Sequence, residues 1–194
     1  MSSIGAGIEG EIIMPIAEMT RVLKTQTWVG KPGVYERPDE HYLGIRTQTP
    51  FKGMFTVIDK HLFKELRAWM KQEGVEPAGQ PFFRYYVINM EGEMDVEVGI
   101  PVATALPGDG RVCPGVLPGG RYASLVYVGT GYTGSGALTR WAIENGLAFD
   151  QWDLPKGTAF RARYERYLTD PKIQPLKSKW ECEVAVRLVD DQPR

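Results

Sequence analysis

The sequence has few of the residues on which metal sites and nucleophilic sites usually depend. Its two cysteines, Cys113 and Cys182, lie far apart and fit neither a disulfide framework nor a metal-binding spacing. The only histidines are His41 and His61, so we do not expect a histidine-based zinc site or a Ser-His-Asp triad. We therefore predict no metal, no cofactor and a reducing, cytoplasmic location.

Long apolar runs and an excess of one charge are also missing. No stretch of the chain approaches the roughly 18 apolar residues of a transmembrane helix, and its start lacks the basic and apolar regions of a secretory signal. The net charge is -1, and the 23 lysines and arginines are scattered along the chain. The sequence thus predicts neither membrane insertion nor direct binding to nucleic acid.

An internal repeat is present instead. The pattern Leu-x-x-Trp, four residues, then Gly occurs at residues 66–74 and again at 138–146. Each copy is typical of the last turns of an amphipathic helix that ends at a glycine. Two further matches follow in the same order, Phe-Arg at 83–84 and 160–161 and an alternating segment at 94–98 and 180–184. Ordered matches of this kind indicate a duplicated unit.

Hydrophobic periodicity predicts an α+β fold built from two strand-helix-strand-strand units. The units are residues 41–102 and 120–190, joined by a linker at 103–119 and preceded by an N-terminal extension at 1–40. The predicted elements, in chain order, are a strand at 41–47, a helix at 57–72, strands at 81–88 and 94–102, a strand at 120–129, a helix at 134–145, and strands at 158–168 and 179–189. We expect antiparallel sheets that form a ligand groove at a pseudo-twofold axis, with the helices on the opposite face.

Counting by two along each strand predicts which side chains meet in the groove. In the strand at 179–189 the apolar side chains face the helices and Glu183 faces the open side. If Phe160 packs on a helix, Glu165 and Tyr167 also face the open side, beside Glu183. Two neighbouring carboxylates raise each other's pKa, so that one can act as a base, and aromatic faces beside them attract a cation.

The same glutamates have a second interpretation. An outward glutamate next to Arg161, Arg163 or Arg166 is usually a solvated surface pair that contributes little. The residues alone therefore leave a ligand groove and an ordinary polar surface both open.

The glycines at 129, 131 and 134 match the spacing of a dinucleotide-binding loop and lie between a strand and a helix. The unit is not a βαβ crossover, and no acidic residue ends a clear parallel strand after it, which disfavours nucleotide binding. We interpret these glycines as residues that shape the loop at one end of the groove.

Several ordered motifs resemble the GyrI-like small-molecule-binding domain, also known as the effector-binding domain of AraC- and MerR-type regulators. They are Tyr-Glu-x-Tyr-Leu-x-Asp-Pro at 164–171, Trp-x-x-Glu at 180–183, Leu-Pro-Gly-Gly-Arg-Tyr-Ala at 117–123 and Asp-Val-Glu-Val-Gly-Ile-Pro-Val at 95–102. The resemblance covers about residues 40–190. One departure is Cys182, which stands where the family usually has a threonine.

The resemblance implies a duplicated fold whose groove binds hydrophobic, often cationic compounds through glutamates and aromatic rings. The site residues that we predict are Glu165, Glu183, Tyr167, Tyr164, Tyr86 and Trp180. Glu165 supplies the charge, Glu183 assists it, and Tyr167 and Tyr86 stack on the ligand. Alternation directs Tyr164 and Trp180 toward the helices, so core packing is an equal interpretation for both.

Three functions are compatible with this resemblance. The first is a stand-alone binding module that senses, sequesters or detoxifies a small hydrophobic or aromatic compound. The second is a hydrolase that opens cyclopropane-bearing genotoxins, with Glu165 or Glu183 as the general base. The third is a protein-binding modulator such as a gyrase inhibitor. We do not expect a direct DNA-binding regulator, because no helix-turn-helix accompanies the domain; the ligand and the oligomeric state do not follow from the sequence.

Overall fold

The computed structural model of the protein describes residues 27–190. Most of the predicted N-terminal extension, residues 1–26, lies outside this range. The described part contains ten strands, which we number in chain order: β1 Trp28–Val29, β2 Gly33–Arg37, β3 Glu40–Pro50, β4 Phe82–Ile88, β5 Glu93–Pro101, β6 Cys113–Leu117, β7 Gly120–Val128, β8 Gln151–Leu154, β9 Gly157–Tyr167 and β10 Glu181–Arg187.

Two long helices separate these strands. The first, α1, starts with a short α-helical turn, Met54–Thr56, continues as a π-helical segment, Val57–Leu62, and ends as the α-helix Phe63–Gln72. The second, α2, spans Gly131–Glu144. Both predicted helices are present, and each begins three residues earlier than the periodicity indicates. A short 3₁₀ helix, Lys177–Lys179, precedes β10.

The repeated Leu-x-x-Trp-x₄-Gly pattern ends both helices in the same way. Gly74 and Gly146 follow α1 and α2 with φ of 67° and 64°, a left-handed conformation that favours glycine. The next amide donates back to the helix, from Val75 to the carbonyl of Met70 at 2.8 Å in the first case, and an equivalent 2.9 Å bond closes the second. These are Schellman C-caps, which satisfy carbonyls that the helix leaves unpaired.

The strands of the described residues join into one antiparallel sheet. Its order is β1-β7-β10-β9-β4-β5-β3-β6, with β2 also paired to β7 and β8 to β9. The sheet and the two helices make the fold α+β, as the sequence predicts. The central pair is β4 and β9, so the strands that flank α1 form one half of the sheet and those that flank α2 form the other.

The sheet buries a different cluster on each face. One face packs against both helices, and its core includes Val96, Val98, Val184 and Val186, all of which alternation assigns to the helices. The opposite face holds a smaller cluster made mainly of aromatic and small residues: Tyr42, Phe82, Leu117, Tyr122, Ala162, Tyr164 and Ala185. Both faces therefore carry a packed layer, and the face opposite the helices is only partly open.

Two segments that the sequence places outside the repeated units take part in the sheet. Within the predicted linker at 103–119, β6 pairs with β3 and forms an edge of the sheet. Pro114 and Gly115 give this strand the composition of a loop, because both residues are rare in strands except at edges and irregularities. From the predicted extension, β1 and β2 both pair with β7. Within 27–190 there is no helix long and apolar enough to cross a membrane.

Candidate functional site

A cavity of about 380 Å³ opens on the helix face, between the N-terminal ends of the two helices. Phe55 in the first turn of α1 and Gly131 at the start of α2 lie on its two sides. Four of its twelve lining residues are aromatic, and one buried carboxylate is among the others. The lining residues are Phe55, Asp59, Phe83, Tyr127, Gly129, Thr130, Gly131, Glu165, Tyr167, Lys177, Ser178 and Cys182.

That carboxylate is Glu165, whose side chain is held by two tyrosines. Tyr85 donates its hydroxyl hydrogen to Oε1 at 3.1 Å, and Tyr127 donates to Oε2. Only 3% of Glu165 is exposed, and burial raises the pKa of its carboxyl above the ordinary value. The hydrogen bond from Tyr127 and the positive charge of Arg163 act in the opposite direction and lower that pKa.

The groups around Glu165 stay protonated at neutral pH. Burial, followed by the nearby carboxylate, raises the pKa of both Tyr85 and Tyr127, so these phenols act as hydrogen-bond donors. Burial likewise raises the pKa of the Cys182 thiol to about 12. A neutral thiol is a poor nucleophile, so Cys182 contributes volume and polarizability to the cavity rather than covalent chemistry.

The glycine motif shapes this site. Gly129 has φ of 120°, a conformation that side chains disfavour. A Cβ atom at Gly131 would lie 2.8 Å from Oε2 of Glu165, and one at Gly134 would overlap the ring of Tyr127. The three glycines thus let the start of α2 approach the carboxylate and its tyrosine closely. The helix N-terminus also favours a negative charge beside it.

A second polar group lies at the edge of the cavity and joins α1 to the segment before β10. Lys177 Nζ donates to Asp59 Oδ2 and, at 2.9 Å, to the hydroxyl oxygen of Tyr167. The Tyr167 hydroxyl in turn donates to Asp59 Oδ1 at 2.9 Å. Tyr167 also packs edge-on against Trp180, with ring centroids 5.4 Å apart.

The predicted site residues divide between the two faces of the sheet. Glu165, Tyr167 and Trp180 belong to the helix face, where the first two line the cavity. The expectation that Glu165 and Glu183 share a groove on the open face is wrong. In the β9–β10 pairing Glu165 lies opposite Val184, and Glu183 lies opposite Arg166 on the other face.

The cause of this error is an irregularity in the central strand pair. The register between β4 and β9 shifts between Tyr85 and Val87, which lie opposite Arg163 and Ala159 respectively. Two residue steps along β4 there span four along β9, and strict alternation fails across this bulge, because Phe160 and Ala162 lie on opposite faces although they are two residues apart. Phe160 packs in the helix-face core, as expected, yet Glu165 is on that face too.

Glu183 and Tyr164 instead contact Arg37 on the opposite face. Arg37 donates to both oxygens of Glu183 and to the hydroxyl of Tyr164, and its Nη2 donates to Ser124 Oγ at 3.1 Å. The prediction that Tyr164 faces the helices is therefore wrong, for the same reason as for Glu165. A separate cavity of about 350 Å³ lies beside these residues.

Tyr86 also belongs to the opposite face. Its hydroxyl donates to Oε2 of the buried Glu97 at 2.8 Å, and Tyr42 donates to the same oxygen at 2.6 Å. The guanidinium groups of Arg46 and Arg84 lie 3.7 and 4.4 Å from the centre of the Tyr86 ring. Tyr86 is thus engaged with its neighbours and does not line the cavity of Glu165.

Ten of the twelve residues that line the Glu165 cavity are absent from the predicted set, and three of these, Tyr127, Asp59 and Lys177, make polar contacts there. The glycine motif beside Tyr127 was a usable signal for this part of the site, because a glycine leaves space that a neighbouring side chain can occupy. Asp59 and Lys177 carry no such signal, since their contact depends on tertiary packing. Within residues 27–190, histidine, cysteine and acidic side chains form no cluster of three or more that could hold a metal ion.

The described residues thus form an antiparallel sheet with two helices on one face and an acidic, aromatic cavity between the starts of these helices. The family profile of the GyrI-like small molecule binding domain matches residues 31–189. The chain therefore belongs to the GyrI-like family, as its motifs predict. No match was found among curated protein sequences.

Solved structures share this fold at low sequence identity. The C-terminal domain of EcmrR has a TM-score of 0.64 at 17% identity, over 83% of this chain and 98% of that one. In the EcmrR–DNA complex the TM-score is 0.65 at 17% identity; the match covers 89% of this chain but only 62% of EcmrR. A hydrolase from Listeria innocua gives 0.56 at 12% identity, over 89% and 98% of the two proteins. SAV2435 bound to tetraphenylphosphonium gives 0.50 at 9% identity, over 82% and 94%.

Proposed function

We propose that this domain binds a small hydrophobic organic cation in the cavity that contains Glu165. The single observation that supports this most strongly is a fully buried carboxylate whose hydrogen-bond donors, Tyr85 and Tyr127, are both neutral. A ligand cation in the cavity would offset the unfavourable burial of that negative charge. Aromatic walls add cation–π attraction.

The individual roles follow from position. Glu165 supplies the charge, and the rings of Phe55, Phe83 and Tyr167 supply the hydrophobic walls. Trp180 packs against the ring of Tyr167 and holds it in place. We assign Glu183, Tyr164 and Tyr86 to the opposite face, where they stabilise the sheet rather than contact this ligand.

We also infer that the domain arose from two copies of a strand-helix-strand-strand unit. The strand orders β3-β5-β4 and β7-β10-β9 are equivalent, and the two halves meet at β4 and β9. The identical C-caps of α1 and α2 support the same conclusion. On this view the cavity lies near a pseudo-twofold axis, between the starts of two related helices, which is a common place for a ligand site.

Tetraphenylphosphonium, the compound bound to SAV2435, is a suitable first probe. We expect the protein to bind it in isothermal titration, and to bind the neutral triphenylphosphine oxide at least about ten-fold more weakly because that compound lacks the charge. Glu165→Gln should remove most of this preference. Equal binding of the two compounds by the wild-type protein would contradict the proposal.

A second candidate function is hydrolysis at the same site. Two observations favour it: the raised pKa of Glu165 suits a general base, and a Listeria innocua hydrolase shares the fold. In the proposed reaction Glu165 takes a proton from water while the water oxygen bonds to a ring carbon of an activated cyclopropane. The ring bond breaks, and its electrons pass to the adjoining conjugated acceptor, which is then protonated.

Mass spectrometry after incubation with a cyclopropane-bearing alkylator tests this second function. A hydrolase releases a ring-opened product that has gained one water, and Glu165→Gln abolishes its formation. If the alkylator binds and is recovered unchanged, the domain is a binding module alone.

A further inference from the structure

Lys177 separates two cavities on the helix face. The cavity of Glu165, about 380 Å³, and a neighbouring cavity of about 710 Å³ have three lining residues in common: Asp59, Tyr167 and Lys177. The second cavity continues between α1 and the segment that follows β9, where Phe63 and Trp180 line it. The hydrogen-bonded group of Asp59, Tyr167 and Lys177 therefore forms the partition between the cavities.

The ammonium group of Lys177 is surrounded as a bound cation would be. Its Nζ lies 4.6 Å from the ring centre of Tyr167, 5.5 Å from that of Phe55 and 6.0 Å from that of Trp180. Asp59 and the Tyr167 hydroxyl oxygen accept its hydrogen bonds. Three rings and a carboxylate around one ammonium make a cage of the kind that recognises ligand cations.

Two further observations indicate that this contact can open. The Lys177 side chain is 41% exposed, so its ammonium has water close by and can leave the cage without crossing the core. Asp59 lies in the π-helical segment Val57–Leu62 of α1. Such segments distort a regular helix and occur frequently at functional sites.

We propose that Lys177 is an internal cation in a site for the primary ammonium group of the ligand, and that the ligand displaces it. The ligand's aromatic body would then occupy the Glu165 cavity while its ammonium enters the cage of Asp59, Phe55, Tyr167 and Trp180. Hydrogen bonds to Asp59 and Tyr167 select a headgroup with N–H donors over a quaternary one. This inference rests on the proposed binding of a ligand in the Glu165 cavity, and not on the charge of Glu165 itself.

The test compares Lys177→Met with Lys179→Met. Both variants remove one positive charge from the same short 3₁₀ helix, but Lys179 is exposed and lines neither cavity. The probe is dansylcadaverine, a primary alkylamine that carries an aromatic dansyl group, and its N-acetylated form is the neutral control. Fluorescence titration gives the Kd of each pair, and circular dichroism checks that every variant is folded.

We expect Lys177→Met to bind the amine about ten-fold more tightly than the wild-type protein, because no internal cation competes for the cage. The acetylated probe should change by less than about two-fold, as should both probes with Lys179→Met. Adding Asp59→Asn to Lys177→Met should abolish the gain. An unchanged Kd for the amine, or an equal gain for both probes, would overturn the inference.

The outcomes also separate this inference from the proposed function. If tetraphenylphosphonium binds in a Glu165-dependent manner but Lys177→Met does not tighten the amine, only the displacement of Lys177 is wrong. If Glu165→Gln leaves phosphonium binding unchanged while Lys177→Met tightens the amine, the ammonium cage stands and the role of Glu165 is wrong. If neither probe binds any of the proteins, both proposals are refuted.

Discussion

Replacing Glu165 by glutamine changes the charge of the site while keeping its shape. The glutamine retains a carbonyl oxygen that can accept from Tyr85 or Tyr127, so the cavity keeps its walls. A cationic group about 5 Å from the carboxylate, at an effective dielectric constant of about 20, interacts with it by about 3 kcal/mol. After partial solvent screening we expect a loss of about 2 kcal/mol, or about thirty-fold in Kd for tetraphenylphosphonium.

The same substitution should alter how stability depends on pH. Burial raises the folded-state pKa of Glu165 above its ordinary value of about 4.3. At a pH between these two values, the folded protein holds a proton that the unfolded chain has lost. Wild-type stability therefore falls as pH rises through this window. Glu165→Gln lacks this loss, so its stability relative to the wild type should increase with pH in the same window.

Urea unfolding between pH 4 and 8, with isothermal titration at the same pH values, measures both effects. Cation affinity in the wild-type protein should rise with pH through the window, because ionised Glu165 binds the cation. The reasoning is refuted if Glu165→Gln keeps the wild-type affinity, or if its relative stability is the same at every pH.

Three other substitutions test separate parts of the argument. Tyr127→Phe removes a donor to Glu165, so it should destabilise the fold by about 1–2 kcal/mol in urea unfolding and move the pH dependence of cation binding to higher pH. Gly134→Ala places a methyl group against the Tyr127 ring and should destabilise the fold by about 1–3 kcal/mol. Gly136→Ala meets open space in the same helix and should stabilise the fold by up to about 1 kcal/mol. Equal effects of the two substitutions in thermal unfolding would contradict the packing argument. Glu183→Gln should lower stability by about 1 kcal/mol and leave Kd for tetraphenylphosphonium unchanged, since this side chain lies on the opposite face.

Local sequence rules were sufficient for the two helices and for the six strands β3, β4, β5, β7, β9 and β10. Periodicity located α1 because a buried stripe of Ile58, Leu62, Leu66 and Met70 repeats at helical spacing. The glycines after each helix fixed the C-terminal ends, since the left-handed cap has few alternatives. Strand β6 escaped prediction because an edge strand tolerates proline, so its composition is that of a loop.

The candidate site was harder to predict, for a reason that lies in one strand pair. The predicted residues include a buried glutamate and a tyrosine that line one cavity, Glu165 and Tyr167. Their grouping was wrong, because the β9 residues that follow the bulge opposite Tyr85 and Val87 lie on the other face from the one that a strict count assigns. Nothing within the β9 sequence alone reveals a register shift that depends on its pairing with β4.

Each face of the sheet buries a carboxylate that accepts hydrogen bonds from two tyrosine hydroxyls, Glu97 on the face opposite the helices and Glu165 on the helix face, and Glu165 also lines a cavity. On the face opposite the helices, Glu183 forms an ion pair with Arg37, and Glu40 forms one with Arg166. Glu165 is more deeply buried, yet the hydrogen bonds to its carboxylate come from neutral tyrosine hydroxyls. Arrangements that reduce stability without a structural gain are concentrated at functional sites. The π-helical turn of α1 and the glycine-rich start of α2 lie at this same cavity. The cavity thus combines these two features with a buried carboxylate, and a bound ligand would offset their cost to stability.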